Sequence, residues 1–288
     1  MNNYKIFKIN HQEFPDKLKN INNSPKYLYA IGNKDLLYQE CFGIVGTRNI
    51  TQYGIKNCTS FSQEIALRDI PIVSGMAVGC DTIAHKISIE NGGKTIAVLG
   101  TGFDNIYPKE NIKLFKDIIE KDGLILTEQE ANIAFNKNNF PKRNRIISAL
   151  SEGILVIEAA YYSGTSITAR YAIEQGKKVF AIPGKLDSSV GVGVNNLIKK
   201  GAICTTKIED ILNYYPQFQI RNRRKNYKNI NKKYKKIYNY LKNSRFNIDE
   251  ILSLTNYEIR KCLNLLSDME IEGIIENDNG IYRLKEEK

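Results

Sequence analysis

Short apolar runs alternate along this chain with longer stretches of helical spacing. Phe42–Val45, Ile72–Ser74, Thr95–Leu99, Leu124–Thr127, Ile154–Ile157 and Val179–Ile182 are each brief, apolar and bounded by glycine or polar residues. Strands covered on both faces read this way. Between them, Tyr53–Arg68 carries Ile55, Phe61, Ile65 and Ala66 near helical spacing, and Asp81–Asn91, Asn111–Asp122, Arg145–Leu150 and Ser166–Gln175 follow. Strand alternating with helix predicts an α/β fold built on a doubly wound, mostly parallel sheet with right-handed crossovers.

The pattern changes at both ends. Residues 1–40 read as a short polar lead-in with one helix, and residues 41–215 as the α/β core. Beyond Pro216 the chain turns basic: Arg221–Lys236 holds nine cations and no acid. Residues 216–230 therefore read as a basic linker running into a helix at Lys232–Lys242. Ile248–Leu254 follows, then Tyr257–Ile271 with Ile259, Cys262, Leu263, Leu266 and Met269 on one face. Ile274-Ile275 and Ile281-Tyr282 flank Asp278-Asn279-Gly280, a hairpin signal. Three helices and a hairpin predict a small winged-helix domain over 231–288.

Composition narrows the class. With 288 residues, 42% of them hydrophobic and 25% charged, the chain is long enough for one large and one small folded domain. No apolar stretch approaches the roughly 20 residues of a membrane span, and Met1–Asn10 lacks the apolar core of a signal peptide. Cys41, Cys58, Cys80, Cys204 and Cys262 are scattered and form no Cys-x-x-Cys pair. That disfavours a disulfide framework or a metal site and fits a reducing cytoplasm. The formal net charge of +11 suits a polyanionic partner, although a Lys- and Asn-rich composition alone can produce it.

Candidate chemistry collects where the strands end, because ligands of open parallel sheets bind beyond the strands' carboxyl ends. The first core strand exits into Gly46-Thr47-Arg48 and the second into Ser74-Gly75. The fifth exits into Glu158 and then Ser163-Gly164-Thr165-Ser166 at a helix start. Small residues admit a phosphate to the backbone, and hydroxyls and free N–H groups at a helix start bind anions. Ahead of the fifth strand stands Phe140-Pro141-Lys142-Arg143-Asn144-Arg145. Its cations suit backbone phosphates, and Phe140 suits either base stacking or the core. Cations crowded before a helix oppose its macrodipole, which points to an anionic partner.

Other motifs fall away. Gly92-Gly93-Lys94-Thr95 resembles the end of a phosphate loop, but Ser88 stands at the first glycine position and a strand follows. Gly100-Thr101-Gly102 and Gly191-Val192-Gly193 have Asn105 and Asn196 where a dinucleotide fingerprint has its third glycine. Asp81 and His85 sit four apart on a helix without a third ligand; the expectation is that Asp81 caps and His85 packs. Ser163 and Ser166 have no neighbouring base, so no catalytic residue, metal or cofactor is expected.

Taken together these islands resemble the DprA/Smf family, the DNA-processing proteins of bacterial natural transformation. The resemblance spans about Phe14 to Leu212. It rests on Gly43-Ile44-Val45-Gly46-Thr47-Arg48 with Tyr53-Gly54, and on Ser74-Gly75-Met76-Ala77 with Gly79, Asp81, Ala84 and His85. It continues through Tyr107-Pro108, Phe140-Pro141 with Arg143-Asn144-Arg145, and Glu158-Ala159 with Ser163-Gly164-Thr165 and Thr168-Ala169. Pro183-Gly184, Asn196-Leu197-Ile198 and Gly201-Ala202 complete it. The tail after Asn231 is similar, more loosely, to the family's winged-helix tail. The resemblance implies an extended Rossmann-like domain that binds single-stranded DNA, forms homodimers and loads a RecA-type recombinase. It places DNA contacts on Arg48, Lys142, Arg143 and Arg145, and assigns no residues to the dimer and recombinase surfaces. Val78 stands where the family usually has Arg, and Cys80 where it has Ile. The forty residues before Cys41 leave no room for the helical domain often found there.

Two other classes compete. A nucleoside-monophosphate glycoside hydrolase would share the fold but needs a Pro-Gly-Gly-x-Gly-Thr loop, and the corresponding Tyr162-Ser163-Gly164-Thr165 lacks the first glycine pair. A winged-helix transcription regulator would prefer duplex DNA, yet the expected recognition helix sets Glu258, Asp268 and Glu270 against Arg260 and Lys261.

Overall fold

Residues 4–219, 231–241, 245–278 and 280–284 are described by a computed structural model. The chain divides into two compact units, Met1–Arg224 and Lys225–Lys288. The basic segment 221–230 lies outside the described residues.

The first unit is organised by a nine-stranded sheet: β1 (Phe7–Asn10), β2 (Tyr27–Gly32), β3 (Cys41–Val45), β4 (Ile72–Ser74), β5 (Thr95–Leu99), β6 (Leu124–Thr127), β7 (Ser151–Val156), β8 (Lys178–Ala181) and β9 (Ile203–Cys204). Their order is β1-β2-β6-β5-β4-β3-β7-β8-β9. From β6 to β9 every neighbouring pair is parallel. The chain winds outward from β3 through β4 and β5 to β6, returns to β7 beside β3, and winds the other way. This reversal leaves a crevice beyond the carboxyl ends of β3 and β7, where doubly wound folds take their ligands.

The helices are α1 (Asp16–Lys19), α2 (Gln52–Leu67), α3 (Cys80–Glu90), α4 (Ile112–Glu120), α5 (Asn139–Leu150), α6 (Gly164–Glu174), α7 (Gly191–Lys199), α8 (Glu209–Leu212) and α9 (Pro216–Gln219). Alternate residues of β3 explain its unbroken apolar run. Phe42 and Ile44 join one core with Phe61, Ile65 and Leu155. Cys41 and Val45 join the other with Ile146, Ile147 and Leu150 of α5. Both faces are covered, so no position is left for a polar residue.

Two expectations are corrected here. The lead-in carries strands: β1 and β2 extend the sheet antiparallel beyond β6, with Leu28 and Ala30 fully buried. And α5 begins at Asn139, so Phe140–Arg145 lies within the helix and not ahead of it. Pro141 falls in the first turn, where its missing N–H and fixed φ cost the helix nothing.

The second unit has α10 (Lys235–Leu241), β10 (Phe246–Asn247), α11 (Ile248–Thr255), α12 (Ile259–Ile271), β11 (Ile275–Asp278) and β12 (Ile281–Leu284). The strands form a sheet in the order β10-β12-β11. A capping box between Asn247 and Glu250 starts α11. The unit has its own core of Tyr234, Ile237, Leu241, Ile251, Cys262, Leu266 and Met269. Ile259 and Leu263, expected on the apolar face of α12, are exposed, and Leu265 takes the buried stripe instead. Among the described residues no helix is long and apolar enough to cross a membrane.

Candidate nucleic-acid interface

The loops leaving β3, β4 and β7 are tied into one floor. Thr47 N–H donates to the Glu158 carbonyl at 2.8 Å, and Cys80 N–H donates to the Thr47 carbonyl at 3.2 Å. Gly79, at φ +84°, has the carbonyl oxygens of Thr47 and Arg48 where a Cβ would stand, so only glycine fits this close approach. A Cβ at Gly46 would meet the Cys80 side chain at 2.7 Å. Beneath them the buried Glu158 carboxylate accepts from Thr51 N–H at 2.9 Å and Thr51 Oγ1 at 2.6 Å, where α2 starts. Gly46 and Thr47 are half-buried in this floor, and Arg48 leaves it exposed.

The Ser74-Gly75 turn is consumed internally. Ser74 Oγ donates to the Ile44 carbonyl at 2.7 Å, binding β4 to β3. Gly75 N–H donates to the Asp81 carboxylate at 3.2 Å, and the Gly75 carbonyl accepts from Arg143 Nη1 at 2.6 Å. The expectation that Asp81 caps its helix is corrected: Gly79 is the N-cap of α3 and no side chain caps it, while Asp81, in the first turn, also accepts from Ala77 N–H at 3.4 Å and so ties down the loop ahead of the helix. Burial pushes its carboxyl up from the ordinary range, against the opposing charge of Arg143. His85 packs as expected and its Nδ1 lies 2.6 Å from Thr95 Oγ1.

The cation cluster divides in a way its spacing does not reveal. Lys142 is exposed, but Arg143 and Arg145 are buried. Arg143 donates to the carbonyls of Gly75 and Val98 and, through Nε, to Asn144 Oδ1 at 3.1 Å. Burial lowers its guanidinium to about 10, with the Asp81 charge opposing and the Arg48 charge adding to the effect. Arg145 reaches both Glu128 oxygens at 2.8 and 2.9 Å and the Asn23 carbonyl at 2.9 Å. The expected surface track of three neighbouring cations is therefore corrected. Two of them face protein acceptors, which also answers the macrodipole argument for their presence at the start of α5.

Asn144 Nδ2 carries the connection onward, donating to the Gly164 carbonyl at 3.1 Å. Ser163 caps α6 by accepting from Ser166 N–H at 3.3 Å. Thr165 is buried behind it, while Gly164 is exposed at the helix start. Phe140 is half-buried, and the guanidinium carbons of Arg48 and Arg143 each lie 5.9 Å from its ring centre. Two aromatic residues not expected at the site, Tyr107 of the Tyr107-Pro108 pair and Phe135, complete a cluster with it. The signal for them was a phenylalanine set in an Asn- and Lys-rich loop five residues before Phe140.

Residues 5–216 match the family model described as DNA recombination-mediator protein A. The DNA processing protein DprA of Bacillus subtilis is 41% identical over 74% of this chain and 72% of its own. That of Streptococcus pneumoniae is 41% identical over 72% of each. The crystal structure of the pneumococcal protein matches with a TM-score of 0.68 at 39% identity over 74% of both chains. The Helicobacter pylori DNA processing protein A, described for its unique single-stranded DNA binding mode, matches with a TM-score of 0.67. It is 31% identical over 75% of this chain and 97% of that one.

Proposed function

Because the chain belongs to the DNA recombination-mediator protein A family, we propose that it is a single-stranded DNA-binding protein, with no turnover of its own, that holds strands along the carboxyl edge of its sheet. The observation that carries this reading is Arg48. It is an exposed cation at the topological switch point, held on a bonded backbone floor beside an aromatic ring. The Helicobacter pylori relative's described binding mode supports it.

The acids at this edge argue against the hydrolase alternative. Glu158 is buried and accepts two bonds from Thr51, and Asp81 is engaged with the amides of Gly75 and Ala77. Neither is placed as a free general acid or base. Steady hydrolysis of ATP or a nucleoside monophosphate that a pocket substitution abolishes would overturn the non-enzymatic reading.

The finer reading rests on the family resemblance. The protein acts as a cytoplasmic homodimer in natural transformation, protects incoming strands and loads a RecA-type recombinase onto them. A monomeric mass by light scattering at micromolar concentration, together with no recombinase capture, would remove it. The DNA-binding reading itself is tested by gel shift with single- and double-stranded oligonucleotides at several salt concentrations. Preference for the single strand is expected. Preference for duplex would favour a transcription regulator acting through the C-terminal unit.

A further inference from the structure

Three aromatic rings meet at the carboxyl edge, and they are not equivalent. Tyr107 lies in the loop after β5; Phe135 precedes α5 and Phe140 opens it. The Tyr107 and Phe135 ring centres are 4.5 Å apart with planes tilted by 55°. Phe140 stands behind both, 5.8 Å from Tyr107 and 5.2 Å from Phe135. Its own surroundings are Gly100, Arg48 and Arg143. Phe135 is 51% exposed and Tyr107 39%. The ring surface open to a ligand therefore belongs chiefly to these outer two, and Phe140 is their backing.

The outer pair is preorganised. Gly102 N–H donates to the Ile133 carbonyl at 2.9 Å, and Asp104 N–H to the Ala131 carbonyl at 2.9 Å. Asn105 Nδ2 donates to the Asn132 carbonyl at 2.9 Å. A Cβ at Gly102 would run into the carbonyl oxygens of Glu130 and Ala131. Residues 131–133, just before Phe135, are thus fastened to residues 102–105 of the loop that leads to Tyr107. Lone exposed apolar side chains are ordinary on a protein surface, but two large rings locked together and left in water are not.

We propose that Tyr107 and Phe135 form a base-stacking wedge for single-stranded DNA, with Arg48 and Lys142 holding the phosphates on either side. This rests on the DNA-binding reading above and adds the residues that take the bases. Flat apolar faces bordered by exposed cations match the alternation of base and phosphate in a single strand. A duplex hides its base faces and cannot use them. Every base has a π-face, so the wedge confers affinity with little sequence preference.

The test uses the full chain and two oligonucleotides of equal length, one of thymidylate and one with abasic sites at every position. Phe135→Ala is expected to weaken thymidylate binding about five- to hundredfold, the span of one lost base stack. The salt slope and the affinity for the abasic strand should stay unchanged. Equal thymidylate binding by Phe135→Ala and wild type, with Arg48→Ala still weakened, would overturn the wedge and leave the DNA-binding reading intact. Failure of the wild type to bind either strand would overturn that reading itself. Should Phe135→Ala not fold, photocrosslinking of wild type to a 5-iododeoxyuridine strand decides. Adducts on Tyr107 or Phe135 support the wedge, and adducts confined to other residues overturn it.

Discussion

The Arg143 guanidinium donates to the Gly75 carbonyl oxygen at 2.6 Å, joining the first turns of α5 to the end of β4. A second donation, to the Val98 carbonyl, joins the same side chain to β5. One buried cation thereby sets the height of two neighbouring strand ends below the candidate DNA track. Arg143→Ala strands those two acceptors in the interior, and each unsatisfied buried acceptor costs about 1–3 kcal/mol. We expect a loss of about 3 kcal/mol in urea unfolding, with weaker DNA binding as a consequence. Unchanged stability with abolished binding would instead make Arg143 a direct DNA contact.

Gly79 makes a sharper test of the floor. Its φ of +84° and the carbonyls of Thr47 and Arg48 against its α-carbon leave no place for a methyl group. Gly79→Ala is expected to cost about 1–3 kcal/mol and to displace the Arg48 loop. Amide exchange should accelerate around Thr47 and Cys80, whose backbones are bonded across this contact. Exchange rates there equal to those of the wild type would show that the floor absorbs the change.

His85 gives the protein a pH dependence. Thr95 Oγ1 donates to the Ile72 carbonyl at 2.6 Å, so its lone pair must accept from His85 Nδ1–H. Nε2 is then an unprotonated atom without a hydrogen-bond partner among the described residues. Burial, reinforced by the Arg143 charge, lowers this imidazole from 6.5 to about 3. The unfolded chain therefore takes up the proton first as pH falls. The stability contributed by neutral His85 is intact above about 6.5 and is lost as pH falls toward 3, by at most about 1.4 kcal/mol per unit. In urea melts at about pH 7.5 and about pH 5, wild type should lose more stability than His85→Leu. Parallel losses would assign the dependence to carboxylates.

Much of this architecture is legible in the chain, for reasons that particular residues show. Phe42, Ile44 and Val45 are buried on alternate faces, so β3 needs no polar position and reads as a solid apolar run. By contrast, β1 exposes Lys8 and Asn10, and β2 places half-buried Tyr27 and Tyr29 between buried Leu28 and Ala30. Such strands, buried at alternate positions only, resemble polar loop in a sequence. The start of α5 was hidden by Pro141, which reads as a breaker although a first helical turn accepts it. The site divides the same way. Loops at strand ends are visible in order, but the partners of Arg143 and Arg145 are not. Gly75 is 68 residues from Arg143, Val98 is 45, and Glu128 is 17 from Arg145. Only the folded chain shows which cations are already neutralised or satisfied. The pairing of Tyr107 with Phe135 is not legible in the sequence, because 28 positions separate two rings that the fold brings to 4.5 Å.

Under the proposed function, exposed Arg48 at the switch point holds a phosphate of a single strand. The most direct measurement is the affinity of the full chain and of Arg48→Ala for one single-stranded oligonucleotide between roughly 50 and 200 mM salt. Each phosphate contact on a single strand contributes about −0.7 to the slope of log affinity against log salt. Arg48→Ala is expected to bind more weakly at every salt, with a slope shallower by about 0.7 and a wild-type melting temperature. Identical affinity and slope in the two proteins would contradict it.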